Sequence, residues 1–190
     1  MRILSETTGH TIIELLAALF ITGIMTAAGY NFYIKMHNQS IAQSDISDLQ
    51  QNSRNTIQEI TKTLRSAGYK VGTHVPYRIG NDSLLIFFSD TNPVDSVLYY
   101  LEDYNGDEAF EVAQLPVGLR PKKLMKRVNS NPPEMYSGLV QSISYVASSA
   151  SLIQVTLVVQ TGRPDEDFNS NDGVRTLTSV ESVTLRNVTL

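Results

Sequence analysis

The chain has no cysteine among its 190 residues. That excludes disulfides, thiol catalysis and cysteine-ligated zinc, and a folded part outside the cytoplasm must be held by its core alone. Charge is sparse as well, at 18% of residues with a net −4, and no basic stripe is long enough to follow a phosphate backbone. Nucleic acid is therefore not an expected partner. The three histidines, His10, His37 and His74, are far apart in sequence and share no metal-ligand spacing. There is no G-x-S-x-G, no H-E-x-x-H and no P-loop, so the chain is read as a non-enzyme that uses no cofactor.

What the sequence does have is one long apolar run without proline. Residues Ile12 to Ile34 are almost wholly apolar or small. About 23 residues at ~1.5 Å each suffice to cross a hydrocarbon core of ~30 Å. A single charge, Glu14, stands just inside the start. A carboxylate in lipid is costly and calls for a functional partner. Small residues recur along the run at Ala18, Thr22, Thr26, Gly23 and Ala27, spacings that let helices approach closely in a membrane.

From Lys35 the pattern becomes amphipathic. Ile46, Leu49, Ser53, Ile57, Ile60, Leu64 and Ala67 recur at steps of three and four, which predicts one buried helix face. Lys62 and Arg65 suit the negative end of the helix dipole, and Gly68 suits a C-terminal cap. After Gly68 the chain turns to short β-branched and aromatic runs: 83–88, 96–101, 123–128, 139–147, 152–161 and 177–190. Residues 96–115 read as a hairpin. Val140, Ile143 and Tyr145 break strict alternation, which points to a bulge. The expected plan is α+β: a long N-terminal helix, transmembrane in its first half, packed on an antiparallel β-sheet.

Three clusters are candidate sites. Asp103, Asn105 and Asp107 stand at alternate positions like the start of a calcium loop, yet Gln114 occupies the place of the bidentate glutamate. The same residues are ordinary turn chemistry. The polar loop 163–173 carries Asp165, Glu166, Asp167 and Asp172 and reads as a mobile, solvated segment. Lys122, Lys123, Lys126 and Arg127 read as a solvated edge strand or as a contact for an acidic partner.

The start of the chain reverses the order of a secretory signal. The plausible cleavage point, Gly9, precedes the apolar run instead of following it. The stretch Gly9-His10-Thr11-Ile12-Ile13-Glu14-Leu15-Leu16 resembles the class III signal of type IV pilins and pseudopilins. Thinner echoes in residues 63–69, 98–101 and 183–187 resemble minor pilins of the PilW type and pseudopilin J of type II secretion. The resemblance implies a pilin-like fold. It divides the chain into a leader (1–9), a transmembrane half-helix (10–34), an amphipathic half-helix (35–68) and a β-rich head (69–190). It further implies cleavage by a prepilin peptidase between Gly9 and His10, N-methylation of His10, and Glu14 as the assembly residue. Its partners would be other pilins or pseudopilins and an inner-membrane assembly platform. The location would be the inner membrane with the head in the periplasm, and then a pilus or pseudopilus. Two positions depart from the family's habit: His10 replaces an apolar first residue, and Arg2 is the leader's only basic residue. The rival expectation is a membrane-anchored adhesin or DNA-uptake module that does not polymerise.

Overall fold

The computed structural model describes residues 11–71, 75–89, 94–104, 115–165, 168 and 171–187. One helix, α1, runs without interruption from Ile12 to Arg65, 54 residues. Among the described residues seven strands follow: β1 (Tyr77–Ile79), β2 (Ser83–Phe88), β3 (Asp95–Glu102), β4 (Lys122–Val128), β5 (Glu134–Ser149), β6 (Leu152–Gln160) and β7 (Thr176–Thr184). They form a single antiparallel sheet in the order β1 to β7, each strand beside its sequence neighbours. The architecture is α+β, as the patterning predicts.

The chain divides into two compact units, one ending at Ser44 and one beginning at Asp45. In the first unit α1 is exposed on every side from Thr11 to Ser40. It is long and apolar enough to cross a membrane. In the second unit α1 buries Leu49, Ser53, Thr56, Ile57, Ile60, Thr61 and Leu64. Five predicted positions, Leu49, Ser53, Ile57, Ile60 and Leu64, lie on this face, joined by Thr56 and Thr61; Ile46 is only half-buried, and Ala67 is buried just past the end of the helix. Thr61 resolves its hydroxyl on the carbonyl of Gln58, which lets a polar residue sit inside without an unpaired donor. The buried face meets a core drawn from β2 to β7, including Leu84, Ile86, Val97, Tyr99, Leu124, Val140, Ile143, Ile153, Val155, Leu157 and Val183. Along β6 the burial alternates strictly through Ile153, Val155, Leu157 and Val159, so one sheet face takes the helix.

After Arg65 the chain turns through residues 66–70. Gly68 adopts φ +79°, and a Cβ there would stand 2.5 Å from the Asn187 carbonyl oxygen. Both facts demand glycine. The bulge expected near Val140 is present: the β5–β6 register shifts between Val140 and Ser142. It lets β5, at sixteen residues, serve β4 with its first part and β6 with the remainder.

Three expectations need correction. The 96–115 hairpin is not formed, because β3 has β2 on one side and β4 on the other. Its next sequence partner is therefore β4, and residues 105–114 lie outside the described residues. The lysine-rich strand β4 is not an edge strand. It is fourth of seven, paired on both sides. The closing strand ends at Thr184 rather than running to the terminus. The sequence reading also missed β1 and the first residues of β5.

Leu64 is completely buried at the end of this packed face. Leu64→Ala should lower head stability by about 2–5 kcal/mol, measured by denaturant unfolding followed through near-UV circular dichroism. Gly68→Ala should also destabilise, through the left-handed backbone at φ +79° and the clash of its Cβ with the Asn187 carbonyl oxygen.

Candidate functional site

Helix α1 begins where the candidate assembly residue sits. The Thr11 N–H donates to Glu14 Oε2 at 2.9 Å. The Glu14 N–H approaches Thr11 Oγ1 at 3.4 Å and the Thr11 carbonyl oxygen at 3.1 Å. This is a capping box: each side chain serves the other residue's backbone donor, at the end of the helix that attracts negative charge. The sequence signature of this box is the T-x-x-E spacing of Thr11 and Glu14. Gly9 and His10 lie outside the described residues.

The recurring small residues are gathered by helical spacing onto one strip. Leu15, Ala18, Leu19, Thr22, Gly23, Thr26, Ala27 and Tyr30 line a shallow apolar groove along α1. Its threonines are polar only in name. The Thr22 hydroxyl donates to the Ala18 carbonyl and Thr26 to that of Thr22, both at 2.8 Å. Satisfied in this way, they present methyl groups outward. At Gly23 and Gly29 an added Cβ would meet nothing within 4 Å, so contacts within the chain do not require glycine at either place.

In the head, polar groups stitch helix to sheet. Ser53 and Ser179 hydroxyls lie 2.6 Å apart, and Asn52 Nδ2 donates to Ser137 Oγ at 3.0 Å. Lys126 Nζ pairs with Glu59 Oε1 at 2.8 Å, mostly shielded from water. Thr63 and Tyr99 hydroxyls meet at 3.0 Å. Burial drives the Tyr99 phenol well above its ordinary pKa, with the Thr63 bond working against the shift and the Glu59 charge adding to it. Burial likewise raises Tyr145, whose hydroxyl has no partner among the described residues.

The basic cluster is not a patch. Alternation along β4 sends Lys126 toward α1 and Glu59, while Arg127 faces the other side with Leu98 opposite. Lys122 reaches Asp103 at 3.7 Å, and Lys123 lies over the Tyr104 ring. Asp103 is thus beside a lysine, and Asn105 and Asp107 lie outside the described residues. Among the described residues no three His, Asp or Glu side chains gather as metal ligands do. The polar loop, expected to be mobile, is pinned where it is described. Arg163 makes a bidentate pair with Asp45, both bonds 2.8 Å. Arg175 holds Asp165 at 2.7 Å and stacks over Phe168. Glu166, Asp167 and His74 lie outside the described residues.

No protein family, curated protein or solved structure matches this chain. The fold and the first turn of α1 therefore carry the functional reading by themselves.

Two outcomes follow from this geometry. Thr11→Ala removes one arm of the capping box and should cost the first turn about 1 kcal/mol, seen as faster amide exchange at Ile13 and Glu14 in detergent micelles. The raised phenols of Tyr99 and Tyr145 favour the protonated form in the folded state. Their contribution is complete below the unfolded tyrosine pKa of about 10 and should be lost progressively above it. A denaturation series from pH 8 upward checks the direction, and Tyr145→Phe should flatten the loss.

Proposed function

We propose that this chain is a minor pilin or pseudopilin, a structural subunit rather than an enzyme. In this reading it is inserted in the inner membrane, cleaved after Gly9, and built into a type IV pilus or a type II secretion pseudopilus, where it acts in priming the filament. The observation that carries the reading is the division of α1. Its first part is apolar on all sides and buried nowhere within the chain, while its later part is the core element of a sheet domain. A helix apolar all round needs lipid or other helices about it. Within a bundle of such helices a lone carboxylate is tolerated when a cation comes to it. The mature N-terminal amine of a neighbour, four residues upstream of Glu14, is the group that cleavage after Gly9 would create.

The capping box refines this role. Glu14 already accepts from its own Thr11 N–H at 2.9 Å. A carboxylate accepts several hydrogen bonds, so one bond to Thr11 and an ionic contact to a neighbour's amine are compatible. Thr11 then holds the carboxylate near the helix axis instead of letting it reach for headgroups. Strips of methyl and glycine surface from Ala18 to Ala27 allow the close helix approach that such a contact needs.

Co-expression with a prepilin peptidase tests the reading, with the intact mass read before and after. Loss of residues 1–9 is expected; their retention contradicts the reading at its base. Glu14→Ala should leave cleavage intact and reduce the assembled fraction about tenfold, the effect of losing ~1.4 kcal/mol of pairing. A chain that is cleaved yet never recovered with filaments, whether or not Glu14 is present, is the anchored binding module instead.

A further inference from the structure

The two edges of the sheet are built differently. At one edge, β1 has three residues, carries Arg78, and is bracketed by Pro76 and Gly80. Short length, charge and proline are the usual protections against unwanted strand pairing. At the other edge, β7 has nine residues, Thr-Leu-Thr-Ser-Val-Glu-Ser-Val-Thr, with no lysine, arginine, proline or glycine. It bonds to β6 along its whole length, from Thr176 to Thr184. Its other side has no partner among the described residues. The face that β7 turns away from α1 is exposed, with Val180 at 52%. That face continues without charge across Gln154, Thr156 and Val158 of β6 and Ser142, Ser144 and Val146 of β5. A long, β-branched, nearly neutral edge without protection is a template for another strand.

The sequence of β7 says which strand fits. Pairing with β1 of another copy would satisfy three of the nine positions. Antiparallel pairing with β7 of another copy satisfies all nine when centred on Val180. In that register Thr176 faces Thr184, Leu177 faces Val183 and Thr178 faces Ser182, with the two Val180 side chains together at the dyad. Leu177 and Val183 belong to the core-facing side, so the two cores become continuous. Glu181 meets Ser179. Moving the centre by one residue instead places the two Glu181 carboxylates opposite each other, or sets Leu177 against Glu181. Both are penalised, the first as a like-charge pair.

We infer that the β7 edge is a self-recognition surface, at which a second copy of this chain adds its own β7 antiparallel with Val180 on the two-fold axis. The inference rests on the head unit and is independent of the filament reading.

The chain contains no cysteine, so each introduced thiol is the only one present. Full-length Val180→Cys in detergent micelles, under mild oxidation, should give a disulfide dimer. Directly opposed residues in an antiparallel pair have Cα atoms about 4.5–5.5 Å apart, within the disulfide range. Thr178→Cys alone should stay monomeric, because its two copies would be displaced by about 14 Å along the strands. A mixture of Thr178→Cys and Ser182→Cys chains should cross-link with each other. A Val180→Cys chain that remains monomeric overturns the proposal. Equal cross-linking at Val180→Cys, Thr178→Cys and the non-edge control Val146→Cys overturns it too, since unregistered association through the apolar helix would produce that pattern.

Discussion

The seam between α1 and one face of the sheet is the constraint on which the head depends. Ile57, Ile60 and Leu64 lie against strands that supply Leu84, Tyr99, Leu124 and Val155. Apolar burial supplies the driving force there. Direction comes from the polar pairs at its margins: Ser53 with Ser179, Asn52 with Ser137, Glu59 with Lys126 and Thr63 with Tyr99. These contacts reach β7, β5, β4 and β3 in turn, so they fix how the helix crosses the sheet. A one-residue slip of the helix would strand each donor, and an unpaired buried polar group costs about 1–3 kcal/mol.

The other part of α1 obeys the opposite logic. From Ile12 to Ile34 nothing among the described residues covers it, and large residues such as Leu16, Phe20, Ile24 and Phe32 are open. Some of its polar side chains are instead satisfied within the helix itself. Thr22 and Thr26 return their hydroxyls to their own helix, and Thr11 and Glu14 serve each other's backbone. In water such a surface is a liability; in lipid or among other helices it is what the surroundings require. This contrast between a helix satisfied by a sheet and the same helix awaiting company is the physical basis for reading the chain as a filament subunit.

Much of this was legible in the sequence because the determining signals are local. Helix α1 is marked by period and apolar length, its end by Gly68, and the β5 irregularity by the broken alternation at Val140, Ile143 and Tyr145. What escaped depended on partners distant in sequence. The strand Lys122–Val128 looks like an edge because it holds four basic residues, yet Lys126 is neutralised by Glu59, 67 residues away along the chain. Asp165 reads as a solvated loop acid, yet Arg175 holds it, and Arg163 is tied to Asp45 from 118 residues away. The exception is the capping box, a three-residue spacing that lay in plain view. Of the candidate site, the charge of Glu14 in an apolar run marks it in the sequence, while the role of Thr11 shows only through its spacing from Glu14.

The central claim is that the Glu14 carboxylate, held by Thr11, meets the N-terminal amine of a neighbouring copy or subunit. Zero-length carbodiimide coupling of assembled material, followed by mass spectrometry of the linked peptides, tests it most directly. Mixing isotopically light and heavy chains before assembly separates links between chains from links within one. The account predicts an amide joining the mature N-terminus of one chain to Glu14 of another, lost in Glu14→Gln. Coupling found only within single chains, or no coupling at Glu14 in well-formed assemblies, would contradict it.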